Sequence, residues 1–300
     1  MNALCSVNLS RRFRNMTVLD GLSFEVPDGS VFGLVGHNGA GKTTTIKILM
    51  NILKPNAGHA EVLGVDSRRL DAQNFAQIGY VSESQEMPEW MTVGYFLAYL
   101  KPFYPGWDDV RAEELLRQFE LPKDRKLRHL SRGMRMKAAL VSSLAYRPRL
   151  LVLDEPFSGL DPMNREDLIE GLLESAAETT IFISSHDLAE IETFASHIGY
   201  LDRGRLQFSE EMTSLTTRFR EIEVTLNPTA MVPTDRQWPS TWMRPEAMPS
   251  LIRFIETRFD PERTTSEIRR LFGEVRQVSV TPMPLRAIFV ALARSQSKAA

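Results

Sequence analysis

Cysteine is almost missing from this chain: there is one, Cys5, in 300 residues. No intrachain disulfide can form, which points to a reducing compartment, and Cys5 reads as a small apolar residue in an early strand. Long apolar runs are missing as well. No stretch approaches the ~20 residues that span a bilayer, and the opening MNALCSVNLSRRFRN lacks the apolar segment of a signal peptide. The expectation is a cytoplasmic protein, peripheral on the inner face of the cell membrane only if a partner holds it there. Neither sign of charge dominates. The net charge is −2, so nothing calls for a polyanion and no nucleic acid is expected as partner. Internal repeats, heptad seams and low-complexity blocks are absent, which excludes solenoids and long coiled coils. What remains, 43% hydrophobic and 25% charged residues, suits a globular chain of about two domains.

The stretch GHNGAGKTT, Gly36 to Thr44, fits the pattern G-x-x-x-x-G-K-[ST] of a phosphate-binding loop. Gly36, Gly39 and Gly41 allow backbone angles that let several N–H groups converge on one anion, with His37, Asn38 and Ala40 between them. Lys42 brings a positive charge to the β- and γ-phosphates, and Thr43, followed by Thr44, offers a hydroxyl to Mg²⁺. A bare match arises by chance in roughly one chain in a hundred at ~7% glycine, so the flanks matter. SVFGLVG reads as a buried strand and TTIKILMNIL as a helix whose N-terminus points at the phosphates.

Strand-like runs at 3–9 and 22–26 precede this loop, and AEVLGVD and FAQIGYVSE are strand candidates after it. From about 88 to 147 the pattern turns helical: MTVGYFLAYLKPFY, DDVRAEELLRQFEL and RGMRMKAALVSSLAYRP. RLLVLDEP and TTIFISSH return to buried β-runs, and ASHIGYLDRGRLQFS reads as a terminal hairpin. Pro and Trp from Pro228 to Pro249 mark a boundary region or long loops. REIEVTL, LIRFIET, PERTTSEIRRLFG, EVRQVSVTPM and PLRAIFVALARS supply a small α+β domain. The expected fold class is thus α/β: a P-loop core with an antiparallel β portion and a helical subdomain at 1–210, and an accessory α+β domain at 211–300.

LLVLDEP ends an apolar strand in two carboxylates. Asp154 there can hold Mg²⁺ directly or through water, and Glu155 can orient an attacking water and accept its proton. His186 ends the next strand. In a parallel sheet, strand ends face one crevice, so His186 can reach a γ-phosphate or the attacking water.

With these elements in this order, residues 1 to about 210 resemble the ATP-binding subunit of an ABC transporter. GHNGAGKT corresponds to Walker A, LLVLDEP to Walker B, SGLD to the D-loop carrying Asp161, and His186 to the switch histidine. LSRGM, Leu130 to Met134, stands at the signature position, and Phe13 where the family places an adenine-stacking aromatic. The resemblance is strongest to exporter and drug-resistance ATPases whose membrane subunit is a separate chain. It implies a RecA-like core that binds ATP and Mg²⁺, pairs with a second ATP-binding subunit as homodimer or heterodimer, and drives an integral-membrane permease. It also implies that Ser131 and Gly133 contact the nucleotide held by the other subunit.

Two positions depart from the family pattern. LSGGQ reads LSRGM, keeping Ser131 and Gly133 but adding Arg132, Met134 and Arg135. The Q-loop glutamine is replaced by Glu83, which can serve in catalysis or as a metal ligand. Gln85 becomes the equivalent if the loop shifts by two residues. Trp90, Met91, Tyr95 and Phe96 either fill the core of the helical subdomain or line the family's permease-docking groove. RRFR, Arg11 to Arg14, reads as a solvated turn. His37, His59, His129 and His197 lack metal-ligand spacing. Two alternatives are a soluble ABC ATPase and a catalytically weak regulatory half of a heterodimer. A single P-loop and the absence of long heptads weigh against the first, and intact Glu155 and His186 against the second.

Overall fold

The computed structural model describes residues 1–227 and 238–296. It divides into two compact units, Met1–Ser209 and Glu210–Ala300.

The first unit is built on two sheets. Strands β1 (Asn2–Phe13), β2 (Met16–Pro27), β4 (Ala57–Val62) and β5 (Val65–Asp66) form an antiparallel sheet in the order β2-β1-β4-β5. The second sheet runs β10-β9-β3-β8-β7-β6, with β3 (Val31–Val35), β6 (Ile78–Val81), β7 (Leu150–Asp154), β8 (Thr180–Ser185), β9 (His197–Asp202) and β10 (Arg205–Glu211). Strands β6, β7, β8, β3 and β9 pair in parallel. Every residue of β3, β7 and β8 is buried. Their near-continuous apolar sequences are what a parallel sheet covered on both faces requires.

One core joins the two sheets. Leu4, Leu9 and Phe24 from the antiparallel sheet meet Leu34, Val152 and Phe182 from the parallel one, together with Ile46, Ile48 and Leu49 of α1 (Lys42–Leu49). Phe24, Phe32 and Phe182 stack with centroids 5.7 to 5.9 Å apart. Phe182→Ala would leave a cavity costing about 3–5 kcal/mol.

Helices α3 (Val93–Leu100), α4 (Asp109–Gln118) and α5 (Arg132–Leu144) make up the helical portion. Thr92, Asp108 and Ser131 cap their N-termini through side-chain oxygens that accept backbone N–H groups. Three further helices complete the connections: the short α2 (Ala72–Phe75) and α7 (Leu188–Glu192), and the 14-residue α6 (Pro162–Ser175, capped by Asp161).

Several sequence expectations need correction. AEVLGVD is no single strand. Leu63 and Gly64 both have positive φ, so the chain folds back between β4 and β5 as a tight hairpin. FAQIGYVSE contains the end of α2 before β6. The helix after the phosphate loop stops at Leu49, just before Asn51 enters the left-handed region at φ 55°. Strands β1 and β2 are twelve residues each, longer than expected. Arg11 and Arg12 therefore belong to β1, and only Arg14, at φ 52°, turns the chain.

In the second unit, α8 (Met212–Arg218) precedes an antiparallel sheet of order β12-β13-β11-β14. Its strands are β11 (Arg220–Leu226), β12 (Trp242–Met248), β13 (Leu251–Glu256) and β14 (Val275–Pro282). Helices α9 (Pro261–Phe272) and α10 (Leu285–Gln296) complete it. Ile222, Val224, Trp242, Phe254, Ile268 and Phe272 share its core. Part of the loop region expected at Pro228–Pro249 is thus the strand β12, while 228–237 lie outside the described residues.

Candidate functional site

The phosphate loop follows β3, Asp154 ends β7, and His186 follows β8. These three strands are adjacent in the order β3-β8-β7, so their carboxyl ends bring the three motifs to one crevice. The register makes this concrete: Val35 pairs with Ser185, and Asp154 with Ser184.

Two glycines of the loop have structural reasons. A Cβ on Gly36 would lie 2.3 Å from the Leu201 carbonyl oxygen, so no other residue fits. Gly41 caps α1 at φ 114°, a conformation that side chains rarely adopt. His37 faces outward, its Nε2 3.0 Å from Asp202 Oδ1, and Ala40 is fully buried.

Lys42 and Glu155 form a buried ion pair, Nζ to Oε1 at 3.0 Å. Lys42 also donates to the carbonyl oxygens of Gly36 (2.5 Å) and His37 (3.3 Å). The other Glu155 oxygen, Oε2, lies 2.7 Å from His186 Nδ1 and accepts the His186 backbone N–H. Glu155 itself has φ 52°, an outlier of the kind that clusters at working sites. Hydrogen bonding to Glu155 is the main cause that raises the His186 pKa above its ordinary 6.5.

Thr43 Oγ1 donates to Asp154 Oδ1 at 3.1 Å, and Ser184 Oγ donates to the same oxygen at 2.7 Å. The Ser184 hydroxyl in turn accepts the Glu155 N–H. Burial raises the pKa of Asp154, opposed by these two hydroxyls and reinforced by the charges of Glu155 and Glu83. A threonine hydroxyl beside a carboxylate is a hard-oxygen donor set that fits Mg²⁺, which typically takes one or two carboxylates plus phosphate oxygens and water. Among the described residues no group of three His, Cys, Asp or Glu side chains could hold a metal alone, so phosphates and water must complete the shell.

A cavity of about 370 Å³ is lined by Phe13, Met16, Val18, Asn38, Gly39, Gly41, Lys42, Thr43, Thr44, Glu83 and Glu155. Phe13 is partly exposed, with the Arg11 guanidinium 4.5 Å above its ring. Glu83, not Gln85, faces this cavity. Ser131 and Gly133 do not line it. Ser131 caps α5 by accepting the Met134 N–H, and Gly133 packs against Asn164. Of the aromatic candidates, Met91 and Phe96 are buried, while Trp90 and Tyr95 are exposed with ring centroids 5.7 Å apart.

Met16, Val18 and Ser184 went unnoticed in the sequence. The two serines of FISSHD, polar residues closing an otherwise apolar buried strand, were the available signal for Ser184.

This strand–loop–helix cradle, with Lys42, Thr43 and Glu155 lining one cavity and Asp154 and His186 bonded to that lining, defines a P-loop nucleotide hydrolase. A family model described as ABC transporter matches residues 19–158. The chain is 31% identical over 218 residues to the ABC transporter ATP-binding protein YtrB of Bacillus subtilis, covering 72% of this chain and 74% of that one. It is 31% identical to the bacitracin transport ATP-binding protein BcrA of Enterococcus faecalis, covering 71% of each. A solved ATP-binding subunit of an ABC transporter superposes with a TM-score of 0.65 at 29% identity, over 72% of this chain and 92% of that one. The chain belongs to the family of ABC transporter ATP-binding proteins and is an ABC ATPase. No helix among the described residues is long and apolar enough to cross a membrane.

Proposed function

We propose that this protein is the ATP-hydrolysing subunit of an exporter whose integral-membrane permease is a separate chain, and that two such subunits sandwich two nucleotides. The observation that carries the proposal is the split of the motifs. Lys42, Thr43 and Glu155 line one cavity, and Asp154 and His186 are bonded directly to Thr43 and Glu155 of that lining, whereas Ser131 caps α5 and Gly133 packs against Asn164, both outside it. A signature that misses its own nucleotide suits action on that of a second subunit. The bacitracin-transport name of one relative supports the lean to export.

In this reading Phe13 stacks on adenine while Gly36 to Thr44 wrap the phosphates with backbone N–H groups and Lys42. Thr43, Asp154 and Glu83 would hold Mg²⁺, which when bound would supply positive charge beside the phosphate oxygens. Glu155 orients the water and takes its proton, and His186, fixed through Nδ1 by Glu155, offers its other ring nitrogen to the γ-phosphate. Positioning and electrostatics supply the catalysis. The exposed Trp90–Tyr95 pair, a few residues beyond Glu83, offers the permease an aromatic docking surface.

Two defective chains test the sandwich. Lys42→Ala and Ser131→Arg should each be inactive alone. Mixed, they place both lesions on one composite site and leave the other whole, so partial ATPase recovery is expected. No recovery in demonstrated mixed dimers refutes independent sites completed in trans.

A further inference from the structure

The two positions at which this chain departs from its family's pattern touch each other. Arg132 Nη2, from the signature, lies 3.4 Å from Glu83 Oε1, from the Q-loop. The same carboxylate oxygen accepts the Ser158 hydroxyl at 3.0 Å. The guanidinium reaches across Gly159, where a Cβ would stand 2.6 Å from Arg132 Nη1. Three motif loops of one subunit therefore meet at a single oxygen.

The charge at this point has a consequence for the cavity. Glu83 lines it together with Glu155, and Asp154 lies beneath, buried and bonded to Thr43. A glutamine at position 83 would leave two carboxylates beside the phosphates, whereas the glutamate makes three. Even with Mg²⁺ shared among these carboxylates, the extra negative charge weakens the hold on a polyphosphate unless a further cation faces it. Arg132 is the cation placed to do so, and a glycine at its position would provide none.

We infer that Arg132 is a positioning residue: it holds Glu83 at the cavity edge and offsets its charge, so that the two departures are one compensated exchange of an uncharged pair for an ion pair. The inference rests on reading the cavity as the Mg²⁺–ATP site. Because the two side chains are 55% and 47% exposed, the effect is modest and falls with ionic strength. Charge is the property required, so lysine should largely replace arginine.

The test is nucleotide affinity of the purified full chain, read with trinitrophenyl-ATP and Mg²⁺ at low and high salt. Arg132→Ala should weaken binding about three- to fivefold at low salt, the upper range for an exposed pair, and less than twofold at high salt. In a Glu83→Gln background the same substitution should change affinity less than twofold. Arg132→Lys should restore most of the loss. Equal weakening by Arg132→Ala in both backgrounds, or none in the native one, overturns the pair. Equal binding by the native chain and Lys42→Ala would instead sink the nucleotide-site reading, a separate failure.

Discussion

Glu155→Gln has two separable consequences, because Glu155 holds Lys42 with one oxygen and His186 with the other. Removing one partner of a buried ion pair costs about 3–5 kcal/mol. Here the cost is smaller. Glutamine keeps an amide oxygen for Lys42, and the ammonium retains the carbonyl oxygens of Gly36 and His37, which leaves a loss of about 2 kcal/mol. In a unit of this size that lowers the nucleotide-free Tm by about 4–8 °C. With ATP bound, phosphate oxygens serve Lys42 instead, so most of the penalty disappears on binding. Linkage then requires tighter ATP binding, by about tenfold. Hydrolysis should fall by ~10²–10⁴, the contribution of a positioned base. Thermal unfolding with and without ATP, fluorescent-nucleotide titration and phosphate release give the three numbers. An unchanged nucleotide-free Tm together with native affinity would refute the Lys42–Glu155 argument, and native turnover would remove Glu155 from catalysis.

Phe13→Ala should weaken ATP binding by about 1–3 kcal/mol, the range for base–aromatic stacking, while Phe13→Tyr stays nearly silent; unchanged affinity in a folded alanine variant would make Phe13 a packing residue only. The His186 pKa, raised by Glu155 above 6.5, should return toward 6.5 in Glu155→Gln when followed by NMR, and identical titrations in the two proteins would contradict the contact. Since the folded value is raised, the stability this pair contributes is fully present below pH 6.5 and is lost as pH rises through the folded pKa.

The site was legible where chemistry fixes residue types at fixed spacing. Gly36 to Thr44, Asp154, Glu155 and His186 each sit at the end of a strand whose burial was readable from its apolar run. Contacts made across strands were not legible. Ser184 reaches Asp154 through the β7–β8 register, and Arg132 reaches Glu83 across 49 residues of sequence. Strand β12 escaped because Pro245 argues against a strand. It survives there because β12 is an edge strand, with a register shift between Met243 and Glu246 and Arg244 at φ 53°. Helix α6 was missed because its buried positions, Leu168, Gly171, Leu172 and Ser175, include only two large apolar side chains.

Asp154 Oδ1 receives two hydroxyl hydrogens, from Thr43 and from Ser184. Ser184 cannot turn its hydrogen elsewhere without abandoning Asp154, since its oxygen already accepts the Glu155 N–H. Thr43 is less constrained. A hydroxyl carries one hydrogen and two lone pairs, so torsion about a single C–O bond converts Thr43 from a donor toward Asp154 into an acceptor with a lone pair to share. At Thr43, the change that would open a lone pair to a cation is the spin of one rotor, a reorientation of a single proton.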